Sequence, residues 1–179
     1  MVAGGSLAAG DCRTRVSGMS DDPCRAVTES ESDVLLFFLN KMRNAVVATT
    51  AGLASEQQRR PGVPSGTSLL GIVKHLTGVE VHWFQEVFLG EDQDADDSMD
   101  LPPGATGDEV VAAYRQACAR SDEIVGGCAD LSVLAKIANP GEPRRASLRR
   151  IVAHMIEETG RHAGHADILR ERIDGSTGL

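Results

Sequence analysis

The stretch "SLRRIVAHMIEETGRHAGHADILRERID", residues 147–174, decides the fold because it reads as one long helix with a single apolar seam. Its seam positions recur at steps of three or four residues, as one face of a helix requires. They are Leu148, Ile151, Met155, Glu158, His162, His165, Leu169 and Ile173. Titratable side chains therefore occupy several positions where a packed helix would carry leucine or isoleucine.

Three earlier segments show the same helical period, and no segment shows the sustained alternation of a strand. A first helix begins at Ser30 or Ser32 and ends at Gly52, and a second begins at Ser65 or Thr67. The third is "DEVVAAYRQACARSDEIVG", residues 108–126. The core-facing stripe predicted for the first helix is Val34, Leu35, Phe38, Met42, Ala45, Val46 and Thr49. We therefore predict an all-α fold, a four-helix bundle.

The segments between the helices predict how the bundle is connected. Residues 1–28 lack a sustained period and predict a flexible leader, residues 29–175 the bundle, and residues 176–179 a short tail. "GLASEQQRRPGVPSG" reads as a loop between the first two helices. "EDQDADDSMDLPPGATG" is too long for a tight hairpin and reads as a solvated linker. This long crossover between the second and third helices permits a parallel middle pair.

Composition excludes several classes of protein. The formal net charge of −8 argues against nucleic acid as a partner, because phosphate binding needs a cationic surface. No apolar run reaches the roughly 18 residues that span a bilayer, and no signal pattern begins the chain, so we expect no membrane partner and a cytoplasmic protein. The cysteines, Cys12, Cys24, Cys118 and Cys128, show no C-x-x-C spacing, which excludes a zinc ribbon and a redox motif.

The polar seam positions of the last helix predict a metal site. A buried carboxylate or imidazole costs several kcal/mol unless it is paired or binds a metal. Glu158 and His162 are four residues apart, so their side chains lie about 5 to 6 Å apart on one face, which suits two ligands of one ion. A third ligand must come from another helix, and His75 in the second helix is the best placed. "EETGRH" does not match the H-E-x-x-H pattern of zinc peptidases.

Four further side chains are predicted to surround this site or to line its pocket. His154 flanks the seam one turn before the glutamate, and His165 lies one turn beyond the last ligand. His82 is either a partner of a ligand or a boundary residue. Tyr114 either supplies core volume or presents its hydroxyl to the pocket.

A second interpretation needs no metal. The histidines would be hydrogen-bonded core or boundary residues of a helical scaffold, with Glu158 paired with Arg43 or with Arg161 of a neighbouring subunit.

The last helix also carries two glycines, Gly160 and Gly164, away from the seam, where each costs about 1 kcal/mol of helix stability relative to alanine. Close approach of another helix would offset that cost, so we predict a homodimer through this face.

Two stretches also carry a resemblance to a known family. "LLGIVKHLTGVEVHW", residues 69–83, and "HMIEETGRHAGHADILRE", residues 154–171, resemble the DinB-like superfamily of four-helix-bundle metalloproteins. They are most similar to its branch related to mycothiol-dependent maleylpyruvate isomerase, over about residues 30–175. The shared motifs are the histidine of the second helix and His162-Ala163-Gly164-His165. The resemblance implies His75, Glu158 and His162 as the ligands.

The resemblance also implies a function. The ligand set suits a divalent metal, zinc or nickel before iron. Such a metal would activate a low-molecular-weight thiol, mycothiol or bacillithiol, in an S-transferase or isomerase that acts on an electrophilic small molecule. The alternative is a non-catalytic bundle that a metal stabilises, with a stress-related binding role.

Overall fold

The computed structural model describes residues 30–178, and these are almost entirely helix and connecting loop. The elements are α1 (Glu31–Ala48), α2 (Ser55–Arg59), α3 (Leu69–Glu80), a π-helical segment (Val81–Phe88) that continues α3, α4 (Gly107–Gly126) and α5 (Leu148–Asp174). No strand occurs within this described range, and the predicted all-α bundle is confirmed. The predicted leader, residues 1–28, lies outside the described residues, as do Cys12 and Cys24.

The four long helices form two parallel pairs. Arg149 at the beginning of α5 binds Glu31 at the beginning of α1, and Arg170 near its end donates to the carbonyl oxygen of Thr49 at 2.8 Å. In the other pair, residues 74–81 of the second long helix line one cavity with residues 109–113 of α4, and residues 77–85 line the next cavity with residues 113–120. The long crossover therefore joins two helices that run in the same direction.

The two pairs run in opposite directions where α3 packs against α5. The ring of His75 lies beside that of His162, whereas Trp83, further along the chain, lies beside His154, which is earlier in α5. This antiparallel contact brings the middle of α3 opposite the middle of α5, which is the relation that positions the site described below.

Each long helix begins at a hydroxyl side chain that accepts a hydrogen bond from the backbone N–H group three residues on. These residues are Ser30, Ser68, Thr106 and Ser147. The second long helix therefore begins later than the predicted Ser65 or Thr67. Helix α5 ends at Gly175, whose φ of +79° favours glycine at this position.

Two connecting or continuing segments differ from prediction. The loop after α1 contains the five-residue helix α2. The second long helix is not α-helical throughout, because Val81–Phe88 adopts π-helical hydrogen bonding. A π-helix is wider than an α-helix and turns the following side chains out of α-helical register. Hydrophobic periodicity cannot reveal that change over two turns.

The buried faces of α1 and α5 are shifted from the predicted stripes. Val34 and Phe38 are 37% and 48% exposed, whereas Leu39, one residue further on, is fully buried. In α5 the core position is Ala166, which is fully buried, and His165 is exposed. With about 3.6 residues per turn, the fifth turn after Leu148 falls at residue 166 rather than 165.

The crossover is not a solvated linker along its whole length. Gly78 has no side chain, and this allows the backbone of Asp96 and Asp97 to lie directly against α3. Lys74 donates hydrogen bonds of 3.1 Å to the carbonyl oxygens of Asp96 and Ser98. These contacts fix the middle of the crossover on α3.

An ion pair lies inside the bundle. The guanidinium of Arg43 in α1 donates to both carboxylate oxygens of Glu80 in α3, at 2.8 and 2.7 Å, and to Asp122 at 2.6 Å. Burial lowers the pKa of Arg43, but the neighbouring Glu80 carboxylate raises it by more, so the net pKa lies above its ordinary value. The interpretation without a metal predicted that Arg43 pairs with Glu158. Arg43 instead pairs with Glu80 and Asp122.

Two smaller features complete the fold. In the predicted tail, the backbone N–H of Gly178 donates to Asp167 at 2.6 Å, so residues 176–178 pack back against the bundle.

Between residues 30 and 178, no helix is both long enough and apolar enough to cross a bilayer.

Candidate metal centre

The structure brings His75, Glu158 and His162 together between α3 and α5. The Oε1 atom of Glu158 lies 3.1 Å from His162 Nε2 and 3.5 Å from His75 Nε2. One potential ligand atom from each residue lies within 4.8 Å of the other two. The side chains are 16%, 17% and 10% exposed, so the cluster lies at the edge of the core and within reach of solvent.

Helix geometry explains the arrangement. Glu158 and His162 are separated by one turn of α5, so both project toward α3. The antiparallel packing of α3 then places His75 against them, with its ring centroid 4.7 Å from that of His162 and the planes tilted by 56°. Neither helix could supply all three groups by itself.

The crossover fixes the orientation of the His75 ring. Its Nδ1 atom lies within hydrogen-bond distance of the carbonyl oxygen of Asp97, which can only accept. We therefore assign the proton to Nδ1, which leaves the Nε2 lone pair directed at the cluster. A histidine that binds a metal usually has this kind of backbone partner on its other nitrogen.

The protonation states at the cluster suit a cation. Burial raises the pKa of Glu158, but His162 and His75 lower it more, and the net pKa is below its usual value. Burial and the neighbouring His75 lower the pKa of His162. Near neutral pH, Glu158 is therefore ionised and His162 neutral, which are the forms that coordinate a metal.

One buried polar atom at the cluster has no partner within residues 30–178. It is Nδ1 of His162, the ring nitrogen that does not contact Glu158. A buried polar group without a hydrogen bond costs about 1 to 3 kcal/mol. The two imidazoles and one carboxylate that converge here are a donor set that fits a divalent metal with three protein ligands and a position open to another molecule.

The other residues predicted for the site lie at different distances from the cluster. The exposed ring of His165 is 5.5 Å from that of His162. His154 contacts Trp83 instead, with ring centroids 4.7 Å apart. His82 lies further along, where its Nδ1 bonds Glu86 at 2.7 Å and its Nε2 bonds the amide oxygen of Asn139 at 2.8 Å.

Tyr114 is not brought into the cluster. It is 1% exposed and lies in α4, where it lines a small cavity with Arg43 and Cys118. Burial, with a contribution from Glu80, raises the pKa of the Cys118 thiol to about 12, which keeps this cysteine protonated and unreactive. Tyr114 was predicted either to fill the core or to present its hydroxyl to the pocket, and its burial in α4 favours the first.

Sequence reasoning missed the groups that support the cluster. The Asp97 carbonyl belongs to the backbone, and no sequence pattern marks it. Arg161 reaches Glu158 within the same chain, with Nη1 3.9 Å from Oε2. The pairing of Lys74 with Asp96 beside His75 depends on where the crossover packs. The close approach at Gly78 is the one feature that a lone glycine in an apolar helix could have suggested.

A sizeable cavity lies elsewhere. It measures about 830 Å³ and is enclosed by α3, the crossover and the first turns of α4, without any of the three clustered side chains. Two of the carboxylates that line it are already engaged, since Asp96 pairs with Lys74 and Glu109 accepts a hydrogen bond from the backbone N–H of Thr106 at 2.7 Å. We take the cluster as the candidate centre because its donors converge on one point, whereas the groups lining the cavity do not.

Four long helices with a crossover between the second and third, and two histidines with a glutamate between the second and fourth, define a DinB-like bundle. The family model for mycothiol-S-transferase (MST) matches residues 34–175. The chain belongs to this family, which is part of the DinB-like superfamily, so the predicted relationship is confirmed. No curated protein gives a significant match.

Proposed function

We propose that the protein is a metal-dependent transferase that joins the sulfur of mycothiol to an electrophilic small molecule. The observation that carries this proposal is the convergence of His75, Glu158 and His162, in a chain that belongs to the mycothiol-S-transferase family. Two histidines and a carboxylate are found at catalytic zinc and at non-haem iron sites alike; we propose zinc or nickel, with iron as a further option. Bacillithiol is the alternative thiol.

A bound divalent ion would lower the pKa of the thiol and so favour the nucleophilic thiolate. The chain's own residues prepare the site for this chemistry. Glu158 supplies a full negative charge, Asp97 holds the ring of His75, and Arg161 lies beside the second oxygen of Glu158. In the transfer, a bond forms between sulfur and the electrophilic carbon, the leaving group departs with its electron pair, and the thiol proton passes to solvent.

The direct test is turnover of untagged protein with and without metal. Mycothiol and 1-chloro-2,4-dinitrobenzene serve as thiol and electrophile, and thioether formation is followed by absorbance. We expect a rate that EDTA abolishes and zinc or nickel restores. Glu158→Gln keeps the size of the side chain but removes its charge, and should lose most of the metal-dependent rate. Absence of a metal-dependent rate with mycothiol, bacillithiol or N-acetylcysteine would exclude the transferase.

The same preparations test the non-catalytic alternative. A bundle that only uses metal for stability would melt at a higher temperature with the ion and would show no thiol turnover.

A homodimer remains a separate proposal. Gly160 no longer supports this proposal, because a side chain there would contact Met42 of the same chain at 3.6 Å. Gly164 still supports it, because a side chain there would meet no atom of the described chain within 4 Å.

A further inference from the structure

An aromatic corner lies beside the candidate metal centre. It consists of His82 and Trp83 from the π-helical segment and His154 from α5. The ring of Trp83 lies 4.7 Å from that of His154 and 5.6 Å from that of His82, with planes at 60° and 74°. Trp83 is the only tryptophan in the sequence and is half-buried, so part of its side chain is open to solvent.

The corner adjoins the cluster along α5. His154 precedes Glu158 by one turn on the same face, a rise of about 6 Å. The side chains of His154 and His82 are 36% and 28% exposed. A ligand that placed one end at the cluster could therefore lay the rest of its length across the corner without entering the core.

His82 is held in place by contacts that involve three separate parts of the chain. Both ring nitrogens of His82 are engaged, one by Glu86 in the π-helical segment and one by Asn139 in the loop before α5. Glu86 in turn accepts a hydrogen bond from the backbone N–H of Ala95 in the crossover, at 2.7 Å. His82 therefore offers a ring face rather than a hydrogen-bonding nitrogen.

The π-helical segment is a second, independent sign of function. Eight consecutive residues, Val81–Phe88, adopt this geometry, although π-helical turns are rare and occur often at functional sites. Both His82 and Trp83 belong to it. His154 adds a polar edge that could bind a hydroxyl group, because its Nδ1 lies 4.0 Å from Glu157, beyond hydrogen-bond distance.

We infer that His82, Trp83 and His154 bind the pseudodisaccharide part of mycothiol while its thiol lies at the cluster. This inference rests on the proposed function, because it assumes the same thiol. A sugar ring presents C–H groups on its faces and hydroxyl groups at its rim. An aromatic face bordered by polar side chains, as at this corner, matches both features.

Tryptophan fluorescence tests this inference without metal or turnover. The full-length protein is titrated with glucosaminyl-inositol, the pseudodisaccharide without its cysteine, and the emission of Trp83 is recorded. We expect a saturable change in intensity or wavelength that His154→Ala weakens. An emission spectrum that stays constant up to millimolar ligand overturns the inference, whatever the fate of the transferase.

Kinetics provide the second arm. N-acetylcysteine carries the same thiol without the sugar, so the ratio of kcat/KM for mycothiol to that for N-acetylcysteine isolates the sugar contact. We expect Trp83→Leu to lower this ratio about tenfold, which corresponds to about 1.4 kcal/mol, and Trp83→Phe to lower it less. Phe37→Leu changes an exposed aromatic residue of α1 and should leave the ratio unchanged.

The outcomes separate the two proposals. If Trp83→Leu reduces turnover with both thiols equally, its role is structural and the inference fails, while the transferase stands. If no thiol is turned over, the transferase fails, and the fluorescence titration alone decides whether the corner binds the sugar. Melting temperatures of the Trp83 variants are measured alongside, so that a loss of folded protein is distinguished from a loss of preference for mycothiol over N-acetylcysteine.

Discussion

His75 Nε2 and Glu158 Oε1 face each other at 3.5 Å across the packing of α3 on α5, eighty-three residues apart in sequence. Because the candidate ligands come from two helices, metal binding should join those helices. We expect His75→Ala to reduce bound metal from one ion per chain to none. In the wild-type protein, metal at 100 times its dissociation constant should add about 2.7 kcal/mol to the free energy of unfolding, and the variant should lose this gain. Elemental analysis and thermal melts with and without EDTA measure both quantities.

His165→Ala is the matched control, since this exposed imidazole lies close to the cluster but outside it. It should keep one ion per chain and the metal-dependent rise in stability. A His75→Ala protein that still bound one ion with unchanged affinity would show that the cluster is not the metal site.

The buried pair of Arg43 and Glu80 yields a prediction about stability alone. The two side chains are 3% and 0% exposed, so Glu80→Ala leaves a guanidinium in the core with Asp122 as its one acidic partner among residues 30–178. We expect a loss of about 3 to 5 kcal/mol in the free energy of unfolding, because an uncompensated buried charge is costly. Urea denaturation monitored by circular dichroism measures it.

Two comparisons identify the cause of that loss. Arg43→Met combined with Glu80→Leu removes both charges and should recover most of the stability, since apolar replacements of a buried pair are often neutral. Arg120→Ala breaks an exposed pair with Glu123 and should cost less than about 1 kcal/mol. A double variant as unstable as Glu80→Ala would mean that packing, not charge, explains the loss.

The anchor of the crossover should titrate in acid. Lys74, with hydrogen bonds from Ser98, lowers the pKa of Asp96 from 3.8 to about 2. Because the folded pKa lies below the unfolded one, the stabilisation from this carboxylate is complete above pH 3.8 and is lost as pH falls through about 2. Carbon NMR of the Asp96 carboxyl should show a midpoint near the lower value.

Lys74→Met tests the cause of that shift. The variant removes the cation and should move the midpoint of Asp96 back toward 3.8, while Asp174, which is held by Arg170, should keep its lowered pKa. An unchanged midpoint for Asp96 would assign the shift to the Ser98 hydrogen bonds instead.

The sequence predicted the bundle well because helical periodicity is a local signal that burial then enforces. The same reasoning placed Glu158 and His162 on one face of the last helix, and His75 was found because polar groups on apolar stripes need partners. Hydrophobic patterns do not report backbone hydrogen bonding, so the π-helical geometry around Trp83 was not predicted. The role of the Asp97 carbonyl was also missed, because it depends on the path of the crossover.

The exposed side chains of α1 show a second limit of periodicity. Val34 and Phe38 lie at helical spacing with buried positions, yet they are 37% and 48% exposed because the buried face of α1 lies one residue further on, where Leu35 packs against the core and Leu39 is fully buried. Periodicity identifies a face, but the extent of its burial depends on the neighbouring elements. The same limit explains His165, which a drift of one residue moves off the buried face of α5.

Gly78 connects the crossover to the candidate centre, and its replacement should affect both. A methyl group on Gly78 would collide with the backbone of Asp96 and Asp97, whereas one on the exposed Gly164 would meet nothing within 4 Å. We expect Gly78→Ala to lower the free energy of unfolding by about 1 to 3 kcal/mol through overpacking. Because displaced backbone would withdraw the Asp97 carbonyl from His75, metal affinity should fall about 10- to 100-fold. Gly164→Ala should instead gain about 1 kcal/mol from helix propensity and keep the metal affinity. Calorimetric metal titration and urea denaturation of the two variants compare them directly, and equal metal affinities would show that the crossover does not support the ligand.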